Sequence, residues 1–203
     1  MRRVRPAVVQ GTYRGNASFP GAYYTSDVAS NLMTPSETPV RVLFVCLGNI
    51  CRSPLAAAIF AAQARERGVA NRFVVDSAGT SDVHAGEPPD PRARAEAARL
   101  GVALGGRARA VTPEDLRRFN WILAMDRSNL AALEALQRRY GGRARLALLR
   151  DLDPLAGPAE RDVPDPYWGG PEGFAEVTAV LQRCCAAWLD RLLEAAAPAA
   201  ERA

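Results

Sequence analysis

Cys46, Gly48, Asn49, Arg52, Ser53 and Pro54 fall within one short stretch, Cys46-Leu47-Gly48-Asn49-Ile50-Cys51-Arg52-Ser53-Pro54. Ser followed by Pro is a strong helix start, which places the backbone N–H groups of the preceding loop at a helix N-terminus. That end of a helix carries partial positive charge and unpaired donors, so it suits an anion. Gly48 lets the backbone close around a small ligand. Arg52 adds a permanent planar cation whose fork matches two phosphate oxygens. A thiol with an ordinary pKa of about 8.5 drops to roughly 3.5–7.5 beside a helix N-terminus and a cation, so Cys46 is expected to be a thiolate at neutral pH. A sulfur nucleophile beneath a bound tetrahedral oxyanion is the arrangement for displacement at phosphorus.

The surrounding elements must hold this loop in place. Val40 to Cys46 is a short apolar, β-branched run suited to a buried parallel strand, and a helix is expected from Pro54 to about Arg67, ending at Gly68. Further strands are expected at 72–77, 121–125 and 145–149, with a Gly/Pro-rich loop over 78–90. Helices are expected over 91–100, from Pro113 with Thr112 as cap, and over 128–139. A long loop over 150–171 leads to a last helix with apolar residues at Phe174, Val177, Leu181, Cys184, Trp188 and Leu192 along one face. Strands alternating with helices give a single α/β domain over 40–195: a four-stranded parallel sheet with helices on both faces and the phosphate-binding loop after strand 1. Ligands in such sheets sit beyond the carboxyl ends of the strands, so the loops after strands one, two and four are where chemistry is expected.

Composition removes many alternatives. All 26 basic residues of this 203-residue chain are arginine, so a phosphate-loop lysine, a Schiff base and a lysine general base are excluded. His84 is the one histidine, which excludes multi-histidine metal sites; no metal and no cofactor are expected. The net charge of +4 is too small and too dispersed to argue for nucleic acid. No apolar run approaches the roughly 20 residues of a membrane-spanning helix. Cysteines at 46, 51, 184 and 185 fit a reducing compartment, and the expected location is the cytoplasm. Residues 1–39 lack helical or strand periodicity and carry half the excess charge, with no acid before Asp27; they read as a disordered extension, a docking or targeting arm being the alternative. Met33 is a possible translation start, and residues 196–203 read as a frayed tail.

Departure of an oxygen leaving group needs an acid. Asp165, braced by Pro164 and Pro166 with Tyr167 and Trp168 beside it, is the best placed candidate. The prolines limit backbone freedom, and the rings can partly desolvate the carboxyl. Asp151, Asp153 and Asp162 share the loop but lack that setting.

The stretch Leu-Phe-Val-Cys-Leu-Gly-Asn-Ile-Cys-Arg-Ser-Pro resembles the signature of the low-molecular-weight protein tyrosine phosphatases. Residues 76–82, 124–129 and 163–169 fit the same family, so the likeness spans about 40–192. The resemblance implies hydrolysis of phosphotyrosine in protein substrates through a phosphocysteine formed on Cys46. Arg52 would bind the phosphoryl oxygens with the loop Leu47, Gly48, Asn49, Ile50, Cys51 and Ser53, and Asp165 would be the acid. It further implies that Asn49 holds the loop in a strained shape, that Ser53 donates to the thiolate, that Asp126 ties into this network, and that the chain is a monomer or weak dimer. Cys51 would either trap an oxidised Cys46 as a disulfide or simply pack. Cys184 is expected in the core with Cys185 turned aside. Val83 stands where many members carry an aromatic cleft wall, leaving Tyr167 and Trp168 as the other wall, and Gly106 replaces a histidine of animal members. His84 reads as a loop-surface residue, with a substrate-rim contact as the alternative. Arginine phosphatases resemble the same fold with Thr in place of Ile50. Arsenate reductases share the loop type but need extra cysteines on a mobile central segment. A non-catalytic phosphate-binding module is the remaining alternative.

Overall fold

The computed structural model describes residues 38–157 and 159–196. The expected extension up to residue 37 and the tail from 197 lie outside the described residues. The elements follow the order β1 (Val40–Cys46), α1 (Arg52–Glu66), β2 (Phe73–Gly79), α2 (Pro91–Arg99), α3 (Pro113–Arg118), β3 (Trp121–Ala124), α4 (Arg127–Tyr140), β4 (Arg145–Leu148) and α5 (Pro171–Ala196). The four strands form one parallel sheet in the order β2-β1-β3-β4. The chain leaves β1 to one side for β2 and returns across it for β3. The carboxyl end of β1 is therefore the point where strand order reverses, and Cys46 stands there opposite Gly79 of β2.

β1 is apolar throughout because both of its faces are covered. Side chains alternate along a strand. Val42, Phe44 and Cys46 enter a core shared with Leu55, Ile59 and Phe60 of α1 and Val177, Leu181 and Trp188 of α5. Leu43 and Val45 enter a second core with Leu116, Phe119 and Leu133 on the other face. The apolar stripe of α5 is buried along its length, and the Trp188 indole N–H donates to Leu149 O at 2.8 Å. Cys185 departs from expectation: it is as buried as Cys184, facing the backbone of α1 with Sγ 3.5 Å from Ala56 O. The helix is covered over a wider arc than its Phe174–Leu192 stripe, because α1 and α2 both pack on it. α5 also continues through Ala195 and Ala196, so helix extends to the first residue of the expected tail.

α1 begins at Arg52, two residues before the expected start. Its first i to i−4 bond runs from Leu55 N to Cys51 O (3.3 Å), so Pro54 occupies a first-turn position whose N–H would lack a helical acceptor anyway. Ser53 does not cap the helix; its hydroxyl is committed to the site described below.

The long stretch after β4 is braced rather than loose. A 3-10 turn occupies Leu149–Leu152, and Asp153 follows it. The Asp153 carboxylate accepts from Arg150 Nε (2.8 Å), Arg183 Nε (2.7 Å) and Nη2 (3.0 Å), and the Leu155 N–H (3.1 Å). Arg150 Nη1 also donates to Asp162 O at 2.9 Å, and Asp162 Oδ1 accepts the Arg127 N–H at 2.9 Å. α5 thus anchors, through one carboxylate, the segment that leads to Asp165. Burial alone would raise the Asp153 pKa, but the Arg183 guanidinium, the Leu155 N–H and Arg150 outweigh it and hold the carboxyl at about 2.

A folded-state pKa below the ordinary carboxylate value gives stability that is complete above about pH 4 and lost as the pH falls towards 2. Asp153→Asn should cost about 3–5 kcal/mol, since two guanidinium groups lose their counter-charge, and should flatten that acid limb. Urea unfolding of wild type and variant across the acid range measures both effects.

Candidate active site

The loop 47–51 turns from the end of β1 into α1 with Asn49 at φ 57, the one non-glycine residue with positive φ among the described residues. The Asn49 side chain holds that conformation from two sides. Its Oδ1 accepts the Arg109 N–H at 2.9 Å, and its Nδ2 donates to Ser53 Oγ (3.0 Å) and Ser77 Oγ (2.9 Å). Cys46 Sγ lies 3.1 Å from Ser53 Oγ and accepts the Asn49 N–H at 3.2 Å. Ser53 Oγ is also 3.2 Å from Ala78 O. Its single proton can go to that carbonyl when Cys46 is a thiol, or to the sulfur when Cys46 is an anion.

The end of β2 comes in so closely that only glycine fits at position 79. A β-carbon there would lie 2.6 Å from Leu47 O and 2.9 Å from Ser81 O. This contact lets Thr80 N and Ser81 N donate to Cys46 O (2.8 Å) and Leu47 O (3.0 Å). Gly48 leaves room for His84, whose Cδ2 would be 2.7 Å from any β-carbon at that position.

Arg52 is 3% exposed, and its guanidinium spans two loops. Nη1 donates to Asp126 Oδ2 (2.8 Å) and Val163 O (3.0 Å), while Nη2 donates to Asp165 Oδ2 (2.7 Å). Asp126 is oriented in turn by capping α4, its Oδ1 accepting the Asn129 N–H at 2.7 Å. Val163 N donates to Met125 O at 2.7 Å, so the loop that carries Asp165 is stitched to the end of β3.

These groups surround an open cleft of about 170 Å³. Its floor is Cys46, Leu47, Gly48, Ile50, Cys51 and Arg52, and its walls are Val83, His84, Asp165, Tyr167 and Trp168. Asn49, Ser53 and Asp126 stand behind this surface and reach it through Cys46 and Arg52. Three of the exposed large apolar residues, Leu47, Val83 and Trp168, gather at this opening. His84 takes the rim position rather than the loop surface. Its ring lies 6.0 Å from that of Tyr167, and its Nδ1 is 2.9 Å from Glu87 Oε2. Tyr167 and Trp168 stack edge to face at 5.0 Å. Several supports were not singled out in the sequence: Ser77, Gly79, Asp90, Arg92 and Arg109. The Asp-Pro at 90–91, a cap followed by a first-turn proline, was a local signal for one of them.

The chain matches the family described as low molecular weight phosphotyrosine protein phosphatase over residues 41–197. It belongs to that family. A low molecular weight protein-tyrosine-phosphatase of Streptomyces coelicolor is 43% identical over 136 residues, covering 67% of this chain and 83% of the relative. The low molecular weight phosphotyrosine protein phosphatase of Sus scrofa is 40% identical over 152 residues, covering 74% and 94%. Among solved structures, YfkJ from Bacillus subtilis superposes with a TM-score of 0.72 at 34% identity, covering 79% of this chain and 98% of that one. Among the described residues, no helix of this phosphatase is long and apolar enough to cross a membrane.

The other thiols of the phosphatase are held protonated. Burial pushes Cys51 up to about 12, with Asp90 and the neighbouring Cys46 adding to the effect. Burial and Asp153 bring Cys184 to about 12, and burial drives Cys185 well above the ordinary value. Because only the thiolate alkylates, iodoacetamide at about pH 8 should spare Cys51, Cys184 and Cys185 in the native protein and place any adduct on Cys46. Peptide mass mapping before and after unfolding in urea reads this directly.

Proposed function

We propose that the protein hydrolyses phosphotyrosine in protein substrates, with Cys46 as nucleophile, Arg52 and the loop amides as the phosphoryl cradle, and Asp165 as acid and then base. The observation that carries this reading is the convergence of three groups on one cleft. A sulfur that accepts the Asn49 N–H and shares a hydrogen bond with Ser53 Oγ lies at its floor, a buried guanidinium beside it, and a carboxylate on its wall 2.7 Å from that guanidinium.

A phosphate dianion entering the cleft competes with Asp165 for Arg52. The fork turns to two phosphoryl oxygens while Asp126 and Val163 O keep hold of Nη1, and Asp165, released from its ion pair, takes up a proton from water and faces the bridging oxygen. Cys46 Sγ attacks phosphorus in line. The P–O bond to the phenol breaks, and the Asp165 proton passes to the departing oxygen. Arg52 and the amides at the start of α1 bind the three equatorial oxygens as charge develops on them. Water then attacks the phosphocysteine and gives its proton to Asp165, and the S–P bond breaks. The sulfur leaves as an anion onto the Ser53 hydroxyl and the Asn49 N–H, the two groups already within 3.2 Å of it.

The apolar floor at Leu47 and Ile50 and the ring wall at Tyr167 and Trp168 favour an aryl phosphate over a guanidinium-linked one. The only thiols besides Cys46 and Cys51 are buried in α5 rather than carried on a central segment, which disfavours arsenate reduction. Phosphoprotein substrates follow from the family, and the narrower assignment to phosphotyrosine is supported by the rings. A cytoplasmic location and a monomer or weak dimer belong to the same proposal.

Cys46→Ser should abolish turnover of phosphotyrosine peptides, and Asp165→Ala should slow substrates with poor leaving groups by about 10²–10⁴-fold while sparing activated aryl phosphates. Steady-state kinetics on both substrate types checks this, and full activity in Cys46→Ser would refute the scheme.

A further inference from the structure

Arg92 touches neither the sulfur nor the acid, yet its side chain joins the phosphate loop to the ring wall. Its Nε and Nη2 form a bidentate pair with the Asp90 carboxylate at 3.0 and 2.9 Å. Nη2 also donates to Tyr167 O (3.1 Å) and Nη1 to Gly169 O (3.0 Å). The guanidinium lies over the buried Phe174 ring at 4.6 Å and 5.8 Å from the Tyr167 ring. On the other side, Asp90 N donates to Ile50 O at 2.8 Å, and the Asp90 carboxylate caps α2. One continuous chain of contacts therefore runs from the phosphate loop through Asp90 and Arg92 to the backbone of the wall.

The backbone of the wall has few other tethers, although the Tyr167 ring also packs against the buried cluster of Ile50, Cys51, Ala93, Ala108 and Phe174. Among the described residues, the other hydrogen bonds found on the Tyr167–Gly169 backbone are local, Tyr167 N to Asp165 Oδ1 (3.1 Å) and Gly169 N to Pro166 O (3.0 Å). Trp168 is 91% exposed and rests on the edge of Tyr167, so its position follows from that of Tyr167. The phosphate loop has further supports in Asn49, Ser53, Arg109 and Asp126 that do not involve Arg92, and the link that does, Asp90 N to Ile50 O, is a backbone hydrogen bond that keeps its donor when Arg92 is replaced.

The geometry points to Arg92 as a positioning residue for substrate selection: by tethering the Tyr167 and Gly169 carbonyls it sets the spacing between ring wall and phosphate loop that admits a flat aryl group. The inference rests on the phosphotyrosine reading and names the residue that makes the aryl group matter. Its chemistry requires arginine. A planar fork can meet a carboxylate on one edge and two carbonyls on others while stacking on a ring, whereas a lysine ammonium at the same place is a point donor.

The test compares the full chain with Arg92→Lys and Arg92→Gln by calorimetric titration with two probes. Inorganic phosphate reads the loop alone, and phenylphosphonate reads the loop and the wall together. In both variants phosphate should bind as in wild type, while phenylphosphonate should weaken by about tenfold, the scale of losing charged hydrogen bonds. KM for aryl phosphates should rise by a similar factor. Lysine should not rescue the effect, and it provides a charge-preserving variant if glutamine compromises folding. Equal weakening of both probes would mean a general disturbance of the loop and would overturn the inference, as would unchanged phenylphosphonate binding or full rescue by lysine. A wild-type protein that binds phosphate but gains nothing from the phenyl group would instead overturn the phosphotyrosine reading.

Discussion

A guanidinium held almost out of water cannot remain unpaired, and the site is organised around that requirement. Arg52 sits at the start of α1, beneath the loop from β1, where its stem is buried and its fork must find acceptors. Asp126, at the start of α4, and Val163 O and Asp165, in the loop before α5, supply them. Segments more than seventy residues apart are thereby brought to the carboxyl end of one parallel sheet. The same charge that fixes these segments is the one a phosphoryl group would meet, so the supports of the fold and the binding of an anion use a single group.

Around that charge the protein separates rigid parts from replaceable ones. The nucleophile loop is over-determined. Asn49 in the left-handed region, Ser53 in the first turn of α1, Gly79 against Leu47 O and the Arg109 amide all constrain the same few atoms. The backbone of the ring wall is lightly tethered by comparison, and Trp168 at its edge opens directly to solvent. In the proposed reaction a phosphoryl group would be held by backbone and buried charge, and discrimination would be left to a surface turn attached through Arg92. Chemistry common to a family and preference particular to one chain can vary independently in such an arrangement.

Much of this was legible before any coordinates. The apolar run of β1, the Thr112-Pro113 start of α3 and the apolar stripe of α5 are local patterns that tertiary packing reinforces. Other features were not legible because they depend on approach between distant segments. Ser53 stands where a helix cap is expected, but its hydroxyl is taken by Cys46, Asn49 and Ala78, and the helix begins at Arg52, two residues before Pro54, with no side-chain cap. Asp153 looked like one of several loop carboxylates until Arg183 came across from α5. Cys185 looked free to turn aside because the stripe is drawn by one face, whereas α1 and α2 cover more than that face. His84 looked like surface because nothing in its own loop indicates that Gly48 leaves it space at the cleft rim.

By itself the sequence determined the composition of the proposed reaction centre. A thiol, a glycine, an asparagine and an arginine at short fixed spacing between a strand and a helix are placed by local backbone geometry, and local geometry is what neighbouring residues encode. Tertiary structure alone decided that Asp126 and Asp165 both pair with Arg52, which carbonyls Arg92 grasps and that the His84 ring joins the cleft rim. Those contacts join residues separated by tens of positions, and their distances are set by how the two cores pack against the sheet, a quantity no local pattern carries.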